Sequence, residues 1–384
     1  MGNIRRLYQR ARTSSGDSPR RGDIPYLANV TFPGQVIAIE LTRMGDVISS
    51  LQAVRWMAAH WPGARFSYFV GDQYAGLLQS LTLPPAIEVF PARHSLVGLG
   101  NAIRAARRLN ADLACSMSPS KRNTALARGS GAACMVGYFA FRGTRVQHLT
   151  RTLVMARGIQ LKRPIAYGRE HLEERALKIC DALGIVREGE LPDLDIEPRR
   201  REIIGRSLVL RKVVPLNEYV VIHPFAGWKF RSWPLHSFRQ LAAMVTRTLG
   251  VEVVFLFSPD DTLEEPARDA FAGYRWYCSD NLTESAVVIR NARLFVGNDS
   301  GPMHLAALLG VDRVGLYGPA PPELTGPRSG RSTYLYKPIA CSPCDQMTCV
   351  RPDRSCLSFI TPDEAFEAVK GSLGSSNLRV RAHV

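Results

Sequence analysis

Three short stretches hold polar side chains whose types and spacing suit chemistry. One is Leu294-Phe295-Val296-Gly297-Asn298-Asp299-Ser300-Gly301-Pro302-Met303-His304, an apolar run that ends in a polar, Gly-containing turn. A helix pattern then starts at once with Leu305, Ala306, Leu308 and Leu309. Pro302 suits a first helical turn, where its missing N–H would have been an orphan anyway. Free N–H groups and the helix dipole at such a start favour an anion, so a phosphate-bearing ligand is the first expectation. Asp299 would repel a phosphate, so its expected partners are sugar hydroxyls, with the phosphate left to backbone N–H groups. Its other reading is a helix cap, with Ser300 competing for that place. His304 sits one turn into the helix, and its other reading is packing against the neighbouring strand.

The second stretch, Thr42-Arg43-Met44-Gly45-Asp46, follows an apolar run from Val36 to Leu41. Asp46 there is either a cap of the next helix or a carboxylate at a cleft, able to take a proton from a hydroxyl. The third stretch is His223-Pro224-Phe225-Ala226-Gly227-Trp228-Lys229-Phe230-Arg231-Ser232-Trp233-Pro234. Its two cations suit a clamp on a diphosphate leaving group, which gains negative charge as it departs. The alternative is an exposed loop anchored by a buried Trp233.

The elements around these stretches alternate. Strands are expected at 36–41, 66–70, 112–116, 219–223, 251–257, 294–298 and 313–317. Helices are expected near 46–60, 74–81, 99–109, 170–183, 203–210, 235–249, 262–271, 283–290, 302–309 and 362–370. Residues 117–165 give no clear pattern. Such alternation means parallel sheets covered on both faces, and ligands in such sheets bind beyond the carboxyl ends of strands. The 384 residues suit two domains. The expected division is a basic tail (1–34), a first doubly wound domain (35–187), a Pro- and charge-rich linker (188–212) and a second doubly wound domain (213–384). All three polar stretches would then line one interdomain cleft.

The net charge of +15 suits an anionic partner. No aromatic-interleaved basic motif or zinc-finger spacing points to nucleic acid, which leaves an anionic glycolipid or a membrane surface. No apolar run is long enough to span a bilayer, and the Arg-rich start lacks the apolar core of a secretory signal. Of the eight cysteines, Cys115, Cys134, Cys180 and Cys278 sit in apolar surroundings and are expected to be buried thiols. The other four, Cys341, Cys344, Cys349 and Cys356, crowd into 16 residues. Their chemistry suits zinc or iron, and their spacing also permits disulfides.

Together the three stretches resemble glycosyltransferase family 9, the bacterial heptosyltransferases. The resemblance rests on Arg43-Met44-Gly45-Asp46, on Arg231-Ser232-Trp233-Pro234 and on Gly297 through Ala307, and it spans roughly residues 35–370. It implies a GT-B fold of two Rossmann-like domains, inverting transfer that needs no metal or other cofactor, an ADP-heptose donor and a lipopolysaccharide inner-core acceptor. It implies an enzyme on the cytoplasmic side, touching the inner membrane peripherally.

Carried over by position, Asp46 matches the catalytic base, with Thr42, Arg43 and Gly45 beside it on the acceptor side. Arg231 falls where the family usually has Lys, which keeps the charge but replaces a point with a planar fork. Lys229 can share its task. Asn298, Asp299, Ser300, Gly301, Met303 and His304 form the donor-binding turn. The family also has a cysteine-rich tail similar to Cys341–Cys356. Two rivals stand beside this reading. One is the same fold acting on a protein or another surface glycan. The other is a non-catalytic oligomerisation module built on a four-cysteine metal loop.

Two motifs are expected to be decoys. Gly98-Leu99-Gly100 imitates a dinucleotide fingerprint but lacks its third glycine and a convincing preceding strand. Asp193-Leu194-Asp195 imitates a metal-binding Asp-x-Asp and is expected to be solvated linker.

Overall fold

The computed structural model describes residues 33–139, 158–160, 171–215, 218–258, 271–278, 281–344, 348–351 and 355–375. They build two six-stranded, all-parallel sheets. The first contains β1 (Gln35–Glu40), β2 (Arg65–Gly71), β3 (Ile87–Ala92), β4 (Leu113–Ser116), β5 (Cys134–Gly137) and β6 (Gly158–Gln160), in the order β3-β2-β1-β4-β5-β6. The second contains β7 (Tyr219–His223), β8 (Glu252–Phe257), β9 (Arg275–Cys278), β10 (Leu294–Asn298), β11 (Arg313–Tyr317) and β12 (Ser332–Tyr336). Its order, β12-β11-β10-β7-β8-β9, repeats that of the first. Both are Rossmann-like, and the strand order reverses between β1 and β4 in one and between β7 and β10 in the other. Each reversal opens a crevice at the carboxyl ends of its strands.

The helices are α1 (Met44–His60), α2 (Asp72–Gln79), α3 (Leu96–Arg108), α4 (Lys121–Gly129), α5 (Leu172–Ala182), α6 (Pro198–Leu210), α7 (Leu235–Met244), α8 (Leu282–Arg290), α9 (Gly301–Leu308), α10 (Pro322–Thr325) and α11 (Pro362–Ser375). Their starts follow local chemistry. Ser95 Oγ accepts from Gly98 N–H at 2.9 Å to open α3, and Ser120 Oγ accepts from Asn123 N–H at 3.0 Å to open α4. Pro198 occupies the first turn of α6.

Burial on both faces explains why the central strands read as continuous apolar runs. On β1, Val36 and Ala38 join the core under α1, while Ile37 and Ile39 join the one under α3 and α4. The first core does not stop at the domain boundary. It runs through Leu51 and Val54 of α1 into Met303, Leu305 and Ala306 of α9. The second domain keeps its own core around Phe238, Phe255, Leu294 and Leu316, closed by Phe366 and Val369 of α11.

Several expectations need correction. Strands β3 and β12 lie at sheet edges, where the apolar pattern is interrupted; β3 even carries Pro91, which an edge tolerates. A strand therefore does precede Gly98, which serves packing: a Cβ there would lie 2.6 Å from the Arg93 carbonyl oxygen. Asp195 is not loose linker. Its main chain pairs with Thr82, and its carboxylate binds Arg290 of α8 through two 2.9 Å contacts and Arg201 at 2.6 Å. Cys115 and Cys180 are buried and Cys134 is partly so, but Cys278 on β9 is exposed. Residues 262–270 of the expected helix and residues 1–32 of the expected tail lie outside the described residues.

Trp233 anchors the loop between β7 and α7. It is 1% exposed, its indole N–H donates to the Ile360 carbonyl at 2.9 Å, and its ring meets Phe238 edge-on. Trp233→Ala is expected to cost about 3–5 kcal/mol of stability, read as a lower urea midpoint. An unchanged midpoint would contradict the anchoring role.

Candidate functional site at the domain junction

The amino ends of α1 and α9 meet across the two domains, and both carry a glycine at the contact. A Cβ on Gly45 would lie 3.1 Å from Cδ2 and 3.3 Å from Nε2 of His304. A Cβ on Gly301 would lie 3.0 Å from Cβ and Sδ of Met44. Neither glycine has the left-handed backbone that demands one; the requirement is close approach. His304 therefore packs across the junction against Gly45 as well as within its own domain. Burial holds its imidazole below the usual value, against the pull of Asp299, Glu173 and Asp46.

Asp46 does not cap α1. The cap position is Arg43, whose exposed side chain makes no capping bond. Asp46 stands in the first turn, where the helix dipole favours its negative charge. Its Oδ2 contacts the Thr42 hydroxyl at 3.2 Å, and its Oδ1 faces Arg175 Nη2 of α5 at 3.4 Å. It keeps 23% of its side chain exposed, enough to meet a ligand. Beneath it, at the end of β1, lies Glu40, 1% exposed. Oε1 of Glu40 accepts from the Thr42 hydroxyl (2.6 Å), the Thr42 N–H (3.1 Å) and the Ser118 hydroxyl (2.9 Å), with Asn123 Nδ2 at 3.5 Å. Burial first, and then the nearby Asp46 charge, push the Glu40 carboxyl up to about 7.

On the other side, the turn after β10 divides its residues between support and contact. Asn298 is fully buried and turned inward: its Oδ1 accepts from Trp233 N–H at 2.9 Å, and its Nδ2 donates to the Pro224 carbonyl at 2.8 Å. The direct donor contact expected of it gives way to holding the 224–233 loop. Met303 is likewise buried in the core, and its N–H returns to the Ser300 carbonyl. Asp299, 5% exposed, has Oδ2 against Arg231 Nη1 (3.4 Å) and the Thr325 hydroxyl of α10 (3.0 Å). Ser300 occupies the cap position of α9, yet its side chain makes no cap bond and its buried hydroxyl has no partner among the described residues. Arg231 Nε and the Tyr317 hydroxyl are also buried without partners among the described residues. Such atoms are costly unless something bonds them, and they surround the turn expected to bind the donor. Lys229 is exposed, with Nζ 4.9 Å from the centre of the Phe230 ring.

The structure thus brings Asp46, Thr42, Gly45, Gly301 and His304 together and sets Arg231 beside Asp299. Sequence reasoning missed Glu40, Arg175, Tyr317 and Thr325. Glu40 and Tyr317 hide in apolar strand ends, Arg175 in an ordinary amphipathic helix and Thr325 in a Pro-rich connection.

The four clustered cysteines line one cavity of about 290 Å³, together with Trp228 and Phe230 of the β7–α7 loop. Burial raises the Cys356 thiol to about 11. Among the described residues, no three His, Cys, Asp or Glu side chains gather into a metal-binding set. No step is assigned to a metal at these thiols. No helix among the described residues is long and apolar enough to cross a membrane.

Residues 171–353 match the family model described as glycosyltransferase family 9 (heptosyltransferase). The chain is similar to lipopolysaccharide heptosyltransferase 1 of Pseudomonas aeruginosa, 23% identical over 82% of this chain and 87% of that protein. It is also similar to lipooligosaccharide heptosyltransferase 2 of Campylobacter jejuni, 37% identical over 22% of this chain and 27% of that protein. The chain spans only 25–44% of the length of three of the curated relatives it matches.

Among solved structures, a glycosyltransferase family 9 protein of Veillonella parvula matches with a TM-score of 0.72 at 20% identity, over 89% of this chain and 97% of that one. An Escherichia coli ADP-heptose lipopolysaccharide heptosyltransferase II matches with a TM-score of 0.68 at 19% identity, over 89% and 99%. The iron-containing dodecameric glycosyltransferase TibC of enterotoxigenic E. coli matches at 0.56 and 16%, over 93% and 81%. These structures share the fold, two Rossmann-like domains in the GT-B arrangement. The three motifs stand in family order and residues 171–353 match the family model, so the chain is similar to glycosyltransferase family 9.

Proposed function

We propose that this chain is an inverting, metal-independent glycosyltransferase that moves a heptose from an ADP-sugar to a hydroxyl of the lipopolysaccharide inner core. The carrying observation is the packing of the α9 start against the Asp46 turn, with His304 on Gly45. It sets a proton-accepting carboxylate opposite a helix start suited to a diphosphate. The relatives' names support the heptose and the acceptor, and the E. coli structure's name supports ADP-heptose.

In this reading Asp46 takes the proton of the acceptor hydroxyl as that oxygen bonds to the anomeric carbon. The bond to the donor phosphate breaks on the opposite face, and ADP leaves with its electron pair. The growing charge on ADP meets Arg231, Lys229 and the amino end of α9. Arg231 reaches that task from its contact with Asp299, whose other oxygen is left for sugar hydroxyls. Asn298 acts at one remove by fixing the loop that carries Arg231. The net charge of +15 fits an anionic glycolipid acceptor and peripheral contact with the inner membrane from the cytoplasmic side. The cysteine cavity takes no part in the transfer.

Three outcomes follow from these roles. Asp46→Asn should lower kcat by about 100- to 10,000-fold, the usual worth of a general base, with donor affinity nearly unchanged. Turnover at the normal rate would remove Asp46 from the role of base. In a binding panel of ADP-, UDP- and GDP-sugars, only the ADP-sugars should bind well, and a preference for UDP or GDP would refute the donor assignment. Turnover with ADP-heptose and heptose-free lipopolysaccharide core should survive excess EDTA. Its loss, restored by a divalent cation, would overturn metal independence.

A further inference from the structure

Glu40 has no part in the mechanism above, yet it is the most deeply buried carboxylate beside Asp46. The Thr42 hydroxyl stands between them, 2.6 Å from Glu40 Oε1 and 3.2 Å from Asp46 Oδ2. A hydroxyl has one proton, so it donates to only one carboxylate at a time. We propose that Glu40 is a positioning residue that decides, through Thr42, how strongly Asp46 attracts the proton of the acceptor hydroxyl. The inference rests on Asp46 acting as the base.

Two effects work in the same direction. When Glu40 is ionised, the shorter contact claims the Thr42 proton, and Asp46 loses that donor. The same ionisation sets a second negative charge beside Asp46 in a poorly solvated place, which favours a proton on Asp46. When Glu40 is neutral, Thr42 is free to donate to Asp46 and the extra charge is gone, so Asp46 is the weaker base. The Glu40 carboxyl, raised to about 7, passes between these states near neutral pH.

Few other groups compete for this control. From β2, the Tyr68 phenol is pushed well above its usual value by burial and so stays neutral; it donates to the Val47 carbonyl and shares a 2.6 Å contact with Ser50. From α5, Arg175 faces the other oxygen of Asp46. From α9, His304 is held below its usual value. Ser118, after β4, and Asn123 of α4 are uncharged donors to Glu40.

The test is the pH profile of kcat with ADP-heptose and heptose-free lipopolysaccharide core, measured on the full chain. The wild-type rate should rise through about pH 7 as Glu40 loses its proton. Glu40→Gln keeps the shape and the acceptor oxygen but stays neutral, so it should behave at every pH as the wild type does in acid. It should lose about tenfold in kcat at pH 8, less than the whole general-base contribution, converge with the wild type near pH 6, and keep the donor KM. Thr42→Val, which keeps Glu40 but removes the hydroxyl, should lose part of the same rise and is the second arm if Glu40→Gln does not fold. A uniform fall across pH, or a profile parallel to the wild type, overturns the proposal. Asp46→Asn measured alongside separates the failures. If it turns over normally, the base assignment has failed; if it is inactive while Glu40→Gln follows the wild type, only the role of Glu40 falls.

Discussion

The contact on which this molecule depends is the meeting of two helix starts from different domains. Gly45 admits His304, and Gly301 admits Met44, because neither carries a side chain. A methyl group at either place would force the His304 or Met44 side chain to give by a few tenths of an ångström, in a core with little free space to absorb it. The buried cluster running from α1 into α9 shows the same thing from the apolar side. Two modules that each fold on a common plan are joined where their chemistry lies.

That location follows from topology. Each sheet reverses its strand order once, and the reversals open their crevices toward each other. Asp46 follows β1, the 224–233 loop follows β7, and the donor turn follows β10. The ion pair of Arg290 with Asp195, whose main chain pairs with Thr82, and the hydrogen bond from Arg328 to Glu174 tie the domains at points away from the cleft. They are partly exposed and worth modest energy, which suits a junction whose main adhesion is the helix contact.

The site tolerates groups that burial penalises. Among the described residues Glu40 has no cationic partner in contact and is held by hydroxyl and amide donors. Arg231 Nε, Ser300 Oγ and the Tyr317 hydroxyl are buried without partners among the described residues. A fold optimised for stability alone would not keep such atoms; a site prepared for a polar ligand gains from them, since they need little reorganisation when it arrives.

The sequence by itself determined the fold class, the central strands and the three polar stretches, because apolar runs and the turns that end them are local patterns. It misjudged what is set by neighbours distant in the chain. Asp46 reads locally as either a cap or a cleft carboxylate, and only the folded helix start, where Arg43 takes the cap position, removes the first reading. Asn298 reads as a ligand contact, and only the return of the 224–233 loop turns its amide inward. Asp195 reads as solvated linker, and only the packing of α8 and α6 gives it two arginines. The four cysteines suit a metal by their chemistry and disulfides by their spacing, and among the described residues no metal-binding set of three gathers there. Edge strands and the buried Glu40 stayed hidden for the same reason: burial, pairing and charge environment belong to the folded chain, and a one-dimensional pattern records them only where both partners are close in sequence.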